Sequence, residues 1–337
     1  MRFLFLFLFF FQPVFGMQWA FRDPALGVQT LTYFDQVRER PVVVEFWYPA
    51  ERKGLRERPE SDSLMVHPEE FRGAPMKKGK GKCPLILISH GHRGDRRDLS
   101  WLAERLVSQG GFLVAAVDHF GDQRKHFDMQ KSIRFWDRAL DFTFLLNQLE
   151  KEESFLDKID FDKVGFVGYS LGGMTGLGLA GAQAENLKEI LPLLQNELSD
   201  FPNHVLERFD FAESERSFLE PRIRGAFLIC PATFPYTSEA LKKVSIPIGL
   251  VVTVGDEVLP FNEHAFRLIR YLVPKKLKVL GEDISHSVFI NRPTELGKKL
   301  WSKASSLRDR GPIHQEVGDF AIEFFREILQ SDKLPRR

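Results

Sequence analysis

The chain has little cysteine and almost no net charge. Its 337 residues include two cysteines, Cys83 and Cys230, and 47 basic against 46 acidic side chains. A neutral surface argues against a nucleic-acid partner, because binding to a phosphate backbone needs clustered positive charge. Two cysteines allow one disulfide, but Cys83 opens one predicted strand and Cys230 closes another, at opposite ends of a parallel sheet. We therefore expect two buried free thiols.

The N-terminus has the pattern of a secretory signal. Arg2 precedes an unbroken run of Phe and Leu over residues 3–11, and residues 14–16 supply a cleavage site. We predict that residues 1–16 are a signal peptide and that residues 17–337 are an exported single domain, periplasmic or secreted. The apolar run is shorter than the about 20 residues that span a bilayer. An uncleaved membrane anchor is the alternative. Removing residues 1–16 removes one charge, Arg2, and leaves 46 basic and 46 acidic side chains.

Apolar strand patterns alternate with amphipathic helix patterns along most of the chain. Residues 28–33 and 42–48 predict an antiparallel hairpin. Further strands are predicted at 85–89, 112–117, 164–167, 225–230, 246–254 and 276–280. Helices are predicted between them, one capped by Asp98, one over 133–145, one over 174–184 and a closing one over 317–328. Near-continuous apolar strands favour an α/β fold with a mostly parallel central sheet covered by helices on both faces.

Two segments fall outside this alternation. Residues 51–82 are polar and contain Lys77, Lys78, Lys80 and Lys82, and they predict a long surface loop. The basic run is interpreted as solvated, with peripheral contact to anionic lipid as the alternative. Residues 185–224 form a longer insertion than a connection needs, with a helical apolar face at Leu187, Ile190, Leu191, Leu194 and Leu198. We expect a small helical cap over the site; the alternative is a helix packed on the body.

The stretch around Ser170 carries the strongest chemical signal. Gly168-Tyr169-Ser170-Leu171-Gly172 follows an apolar strand and precedes a helix pattern. A Gly-x-Ser-x-Gly motif in a strand–turn–helix context predicts a nucleophile elbow, which raises the serine hydroxyl above the sheet at a helix N-terminus. Glycine is needed on both sides because the turn is too sharp for a side chain.

A serine nucleophile needs a base and a carboxylate that orients it. Asp256 follows the predicted strand 246–254 and His286 follows the strand 276–280, so both belong at the edge of the sheet where ligands bind. The order Ser170, Asp256, His286 is that of α/β-hydrolase triads. Glu257 is the competing acid, and Asp283 stands awkwardly close to His286 in sequence. His264 and His314 are the other histidines beyond the insertion.

The oxyanion hole is predicted from two backbone N–H groups. One belongs to Leu171, and the other, from the loop Ser89-His90-Gly91-His92, is assigned to His92. His90 and His92 have the spacing of a metal pair, but no third ligand is spaced to support a metal site. Residues 176–181 match Gly-x-Gly-x-x-Gly, yet they lie inside the helix predicted after Ser170 and not at a strand-to-helix turn, so close helix packing explains them better than a nucleotide.

With these residues assigned, the chain resembles α/β-hydrolases of the predicted dienelactone-hydrolase and platelet-activating-factor acetylhydrolase type. The resemblance runs from residues 28–31 and 46–49 through 84–91, 112–119 and 168–173 to His286. It implies hydrolysis of carboxylic esters, of short acyl groups or acetylated phospholipids, without a metal or other cofactor. Dienelactone hydrolases proper have cysteine where this chain has Ser170. The alternatives are a non-catalytic binding protein on the same fold, and a long-chain lipase or a peptidase. The sequence leaves the oligomeric state open.

Overall fold

The computed structural model describes residues 25–52, 64–79, 81–190, 202, 206, 208–300 and 309–330. Within these ranges the strands, in chain order, are β1 Ala25–Asp35, β2 Arg40–Ala50, β3 Phe71–Arg72, β4 Cys83–Ser89, β5 Leu113–Asp118, β6 Asp122–Gln123, β7 His126–Phe127, β8 Ile159–Tyr169, β9 Ile223–Ile229, β10 Ile248–Thr253 and β11 Lys276–Leu280. All but β6 and β7, which pair with each other, belong to one sheet.

The sheet order is β11-β10-β9-β8-β4-β5-β2-β1-β3. The neighbours from β11 to β5 all pair in parallel, while β2 is antiparallel to both β5 and β1. The predicted entry hairpin and the mostly parallel sheet are therefore confirmed. Because parallel strands end at one edge, the residues after β4, β5, β8, β9, β10 and β11 converge there.

Helices cover both faces of the sheet. In chain order they are α1 Ser100–Ser108, α2 Met129–Ser132, α3 Asp137–Leu149, α4 Glu153–Leu156, α5 Leu171–Leu179, α6 Leu187–Ile190, α7 Ser238–Lys242, α8 Ala265–Leu272, α9 Glu295–Leu300 and α10 Gly311–Leu329. Short 3₁₀ turns lie at Ala212–Glu215 and His286–Phe289. One apolar core lies between the sheet and α1 with α10, and a second lies under α3, α5 and α8. The helices packed on the two faces therefore hold the carboxyl edge of the sheet in position.

Three helix predictions need correction. Asp98 does not cap α1, whose N-cap is Leu99; the Asp98 carboxylate is buried and accepts from the Arg124 guanidinium at 3.0 Å. The helix predicted over 133–145 begins later, at Asp137, because a separate short helix, α2, precedes it with Asp128 as its cap. The helix after Ser170 begins and ends earlier than predicted, at Leu171 and Leu179.

The Gly-x-Gly-x-x-Gly segment has the packing role that we inferred. A Cβ on Gly176 would lie 2.7 Å from Leu228 of β9, and one on Gly178 would lie 2.8 Å from the hydroxyl of Tyr236. These glycines let α5 approach its neighbours closely. Gly181, however, lies beyond the end of α5 and has a φ of +107°, so it belongs to the turn that follows the helix.

The polar segment 51–82 is more ordered than a surface loop where it is described. Its β3 pairs in parallel with β1, and Glu70 is buried against Arg97. Two residues are too few to give a strand pattern, so the sequence could not predict β3.

Several predictions fall outside the described residues. The signal peptide lies there entirely, as do Leu191, Leu194 and Leu198 of the insertion. In the described part of the insertion, Leu187 and Phe211 are buried in the core under α3 and α5, so these residues pack on the body. The cap stays a prediction. Among the described helices, none combines the length and apolar character that crossing a bilayer requires.

Candidate active site

Ser170 occupies a strained turn between β8 and α5. Its φ is 55° and its ψ is −117°, outside the regions that side-chain-bearing residues usually adopt. Its N–H donates to the Ile229 carbonyl of β9 at 3.0 Å, and its own carbonyl accepts from Ala232 at 3.1 Å. Such strain persists only where the surroundings enforce it. The backbone of β9 and its following loop therefore hold Ser170 in this conformation.

The glycines on either side of Ser170 are required by close backbone contacts. A Cβ on Gly168 would collide with the Gly172 carbonyl, and a Cβ on Gly172 would collide with the Ser89 carbonyl at the end of β4. The second contact brings the turn against the loop that follows β4. The prediction that only glycine fits at these two positions is confirmed.

Asp256 and His286 meet at the same edge of the sheet. The Nδ1–H of His286 donates to Oδ2 of Asp256 at 2.7 Å, and both side chains are buried. The other carboxylate oxygen accepts from the backbone amides of Leu259 and Val258. Burial acts to raise the pKa of Asp256, but the hydrogen bond from His286 and the two amides lower it below the ordinary value. Asp256 is therefore ionised beside the imidazole.

The competing residues have other partners. The Glu257 carboxylate accepts from the backbone N–H of His286 at 2.9 Å, so it holds the loop and not the ring. His264 accepts from the Thr233 amide, and His314 lies inside α10 with its Nε2 2.9 Å from the Val288 carbonyl. Asp256 is thus the acid that bonds the imidazole of His286.

Several residues that position this pair were missed in the sequence. The Tyr169 hydroxyl donates to the His286 carbonyl at 3.0 Å, and the two rings pack at 5.0 Å between centroids. Thr253 lies within hydrogen-bond distance of the carbonyls of Gly281 and Ile284, which ties β10 to the His286 loop. Gly255 has no room for a Cβ against Glu282, and a glycine directly before Asp256 was the available signal for this close approach.

The loop after β4 lies against the Ser170 turn. A Cβ on Gly91 would lie 3.1 Å from the Tyr169 ring and 3.3 Å from Cβ of Ser170, so glycine permits the approach. Leu171 is the first residue of α5, where backbone N–H groups have no partner within the helix. His90 and His92 point to different partners, the Gly91 carbonyl and the Asp122 carboxylate, which does not favour a shared metal.

Cys230 is a further neighbour of Asp256. Its donor atom and those of Asp256 and His286 all lie within 4.8 Å of one another. Burial raises the pKa of the Cys230 thiol well above its ordinary value, and the Asp256 carboxylate raises it further. Because the thiolate is the form that binds metals, this protonated thiol fits a hydrogen-bonded cluster better than a metal site. Cys83 and Cys230 are both unpaired, although Cys83 is only half-buried.

The sheet order, the strained turn after β8 and the site at the carboxyl edge define the α/β-hydrolase fold. A solved structure described as a ferulic acid esterase from Streptomyces cinnamoneus shares this fold, with a TM-score of 0.63 over 94% of each chain. Its sequence is 19% identical to this chain, so the likeness concerns the fold alone.

The sequence comparisons indicate a more particular relationship over part of the chain. The family model described as PETase, PET hydrolase-like, matches residues 74–205. Cutinase est1 and cutinase est2 of Thermobifida alba are 33% and 32% identical over 109 residues, about a third (32%) of this chain. The match spans a third (33%) of the length of each cutinase. The family match includes His92 and Ser170 but ends before Asp256 and His286.

We predict that both thiols are free and that Cys230 is unreactive in the folded protein. Burial raises the pKa of each thiol, so the reactive thiolate is scarce at neutral pH. In a Cys83→Ser variant, Cys230 should react with Ellman's reagent at least about tenfold more slowly than after unfolding. The unreduced, unfolded wild type should titrate both thiols. Rapid labelling of native Cys230, or thiols that appear only after reduction, would contradict this assignment.

Proposed function

We propose that this protein is a carboxylic-ester hydrolase that uses Ser170, His286 and Asp256 as a catalytic triad. The observation that carries the proposal is the buried Asp256–His286 hydrogen bond at the sheet edge that also presents the strained Ser170. Support also comes from the names of the similar proteins, which are cutinases, a PET hydrolase-like family and a ferulic acid esterase.

In the first half of the reaction, the Ser170 hydroxyl attacks the ester carbonyl. His286 takes the hydroxyl proton on Nε2 as the new C–O bond forms and the carbonyl π electrons move to oxygen. The tetrahedral intermediate collapses, and His286 returns the proton to the leaving alcohol. The products of this half are the free alcohol and an acyl group on Ser170.

In the second half of the reaction, water takes the place of the alcohol and the same steps run in the opposite direction. His286 removes a proton from water, the hydroxide oxygen bonds to the acyl carbon, and the proton passes to Ser170 as the acid leaves. Asp256 holds His286 in the tautomer with Nδ1 protonated and stabilises the imidazolium. The N–H groups of His92 and Leu171 bind the oxyanion of each tetrahedral intermediate.

A non-catalytic binding protein on this fold is disfavoured by the geometry of the site. A scaffold has no use for a buried, ionised Asp256 bonded to the ring of His286, since burying a charge without function costs stability. Only the substrate distinguishes a long-chain lipase or a peptidase from the proposed esterase, because enzymes of all three kinds use the same triad.

The finer proposal is that the acyl group is short and that the alcohol side is lipid-like, as in acetylated phospholipids. The support is the surroundings of His92, whose ring is bonded to Asp122 and packs edge-on against Phe127 with 5.5 Å between centroids. We propose that these contacts narrow the acyl side of the site beside the loop that follows β4. With a net charge near zero, we propose that any membrane contact is peripheral and apolar.

We also propose that the protein is exported by cleavage after Gly16. Arg2, the apolar run over residues 3–11 and the small Gly16 directly before the cleavage point support this. N-terminal sequencing of the protein recovered from an expressing host tests it, and a retained Met1 in the membrane fraction would favour the uncleaved anchor.

The triad assignment predicts a sharp difference between two adjacent acids. Asp256→Asn should lower kcat for 4-nitrophenyl acetate by about 10⁴, because the carboxylate that sets the His286 tautomer is lost. Glu257→Gln is the matched control and should change kcat by less than about tenfold, since the Glu257 carboxylate bonds the backbone N–H of His286 and not its imidazole. Ser170→Ala should abolish turnover. Reversed effects of the two acids would move the assignment by one residue, and an active Ser170→Ala enzyme would remove the serine mechanism.

The acyl proposal predicts that kcat/KM falls with acyl length. The order should be 4-nitrophenyl acetate or butyrate first and palmitate last, because the ring of His92 limits the depth of the acyl side. Phe127→Ala should raise the palmitate-to-acetate ratio by removing the ring that packs on His92. Faster hydrolysis of palmitate than of acetate by the wild type would contradict the short-acyl proposal while leaving the triad intact.

A further inference from the structure

A buried ion pair lies beneath the oxyanion loop, residues 90–93, and takes no part in the triad. Asp122 stands at the start of β6 with its side chain 3% exposed, and Arg138 of α3 is equally buried. The Arg138 guanidinium donates to Oδ2 of Asp122 at 2.6 Å. Burying two charges is costly unless each is fully bonded, so their remaining partners indicate what the pair does.

Asp122 bonds two successive residues of the oxyanion loop. Its Oδ1 accepts from the backbone N–H of Arg93 at 3.0 Å and lies 2.8 Å from Nδ1 of His92. Arg93 has a φ of +52°, a left-handed conformation that a residue with a side chain rarely adopts. One carboxylate therefore fixes both the ring of His92 and the turn that sets the direction of its backbone.

Arg138 joins that loop to the helix after Ser170. Its guanidinium donates to the His90 carbonyl and, at 3.3 Å, to Oγ1 of Thr175 in α5. The Thr175 hydroxyl in turn donates to the Leu171 carbonyl at 3.1 Å. The two predicted oxyanion donors, His92 and Leu171, are thus connected through a single buried cation and its partners.

Both groups stay charged in the folded protein. Burial acts to raise the pKa of Asp122, but the hydrogen bond from His92 and the charge of Arg138 lower it well below the ordinary value. Burial lowers the pKa of Arg138, which the charges of Asp122 and Asp141 oppose. Charged groups make shorter and more directional hydrogen bonds than neutral ones, which suits a positioning role.

An oxyanion hole needs this kind of support. Its donors act only when they are held about 2.7–3.1 Å from the position of the oxyanion before the reaction starts. Leu171 is held by α5, but His92 belongs to an irregular loop, and its side chain is 32% exposed. Besides the backbone hydrogen bond from Gly94 to the Gly91 carbonyl, the side chains of Asp122 and Arg138 bond this loop from the interior.

We propose that Asp122 and Arg138 are positioning residues that set the His92 N–H relative to the Leu171 N–H in the oxyanion hole. The inference rests on the proposed ester hydrolysis and adds two residues to it. Loss of either residue weakens binding of the transition state more than binding of the ester, because the neutral carbonyl oxygen of the ester forms weaker hydrogen bonds with the donors than the oxyanion does.

The test compares Asp122→Asn and Arg138→Met with Arg134→Met in the full-length protein. Arg134 also bonds a carboxylate, Asp137, but it is partly exposed and lies away from the oxyanion loop, so it is the matched control. Active sites are counted with diethyl 4-nitrophenyl phosphate, which releases one 4-nitrophenolate for each reactive serine. Rates per active site then exclude any misfolded fraction.

We expect kcat per active site to fall by about 10- to 100-fold in Asp122→Asn and Arg138→Met, with KM within about threefold of wild type. In a short-chain trifluoromethyl ketone, the serine adds to the carbonyl carbon and the carbonyl oxygen becomes a tetrahedral oxyanion; its affinity should fall by a similar factor. Arg134→Met should stay within about twofold of wild type in both measurements, because its carboxylate partners, Asp137 and Glu213, lie outside the oxyanion loop. Arg138→Lys should recover part of the loss, because it keeps the charge beside Asp122.

Thr175→Val supplies an answer even where a buried-charge variant does not fold. It removes only the hydroxyl between Arg138 and the Leu171 carbonyl, and we expect a severalfold fall in kcat and in ketone affinity. Unchanged kcat per active site in folded Asp122→Asn or in Thr175→Val would overturn the positioning role. A rise in KM at constant kcat would do the same. A wild type without ester turnover would overturn the proposed function instead, and the inference with it.

Discussion

The strained backbone of Ser170 is the constraint on which the site depends. A φ of 55° with a ψ of −117° is held by hydrogen bonds to the β9 segment, and it requires glycine at positions 168 and 172. The same close contacts bring the end of β4 against the start of α5. Because the central strands are parallel, the loops after β10 and β11 reach the same edge. Strain at one residue is therefore stabilised by the packing of the whole sheet.

Two buried pairs of charged groups have different roles at that edge of the sheet. The Asp256–His286 pair lies on the β10 and β11 side of Ser170, and the Asp122–Arg138 pair lies on the β4 and β5 side. Both pairs are buried, so water does not weaken their hydrogen bonds. In each pair, one group also contacts a backbone segment of the site and holds it in position. The first pair would supply the proton transfers, and the second would fix the geometry in which charge develops on the substrate.

Much of this arrangement could be predicted because it depends on local patterns in the amino-acid sequence. The apolar strands, the hairpin, the glycines around Ser170 and the order of Ser170, Asp256 and His286 are all visible in short stretches of sequence. Contacts between distant residues are not. Nothing near Arg138 in sequence shows that it reaches Thr175 and the His90 carbonyl, and nothing near Tyr169 shows that it packs on His286.

The predictions from sequence that were wrong failed for similar physical reasons. Asp98 has the residue type of a helix cap, but its carboxylate is buried and taken by Arg124, a tertiary contact that outweighs local preference. Asp128, by contrast, does accept from the amides of Gln130 and Lys131, and its position before a short helix was a readable signal. Cys230 was correctly expected to be buried, yet its contact with Asp256 follows only from the convergence of β9 and β10.

We infer that the strained Ser170 is a nucleophile activated by its surroundings. Labelling with a fluorophosphonate probe, followed by mass spectrometry of the modified peptide, tests this most directly. We expect one label per chain, located on Ser170, absent from Ser170→Ala and strongly slowed in His286→Ala, because an isolated serine hydroxyl is a weak nucleophile. Absence of labelling in the folded wild type, or labelling that persists in Ser170→Ala, would contradict it.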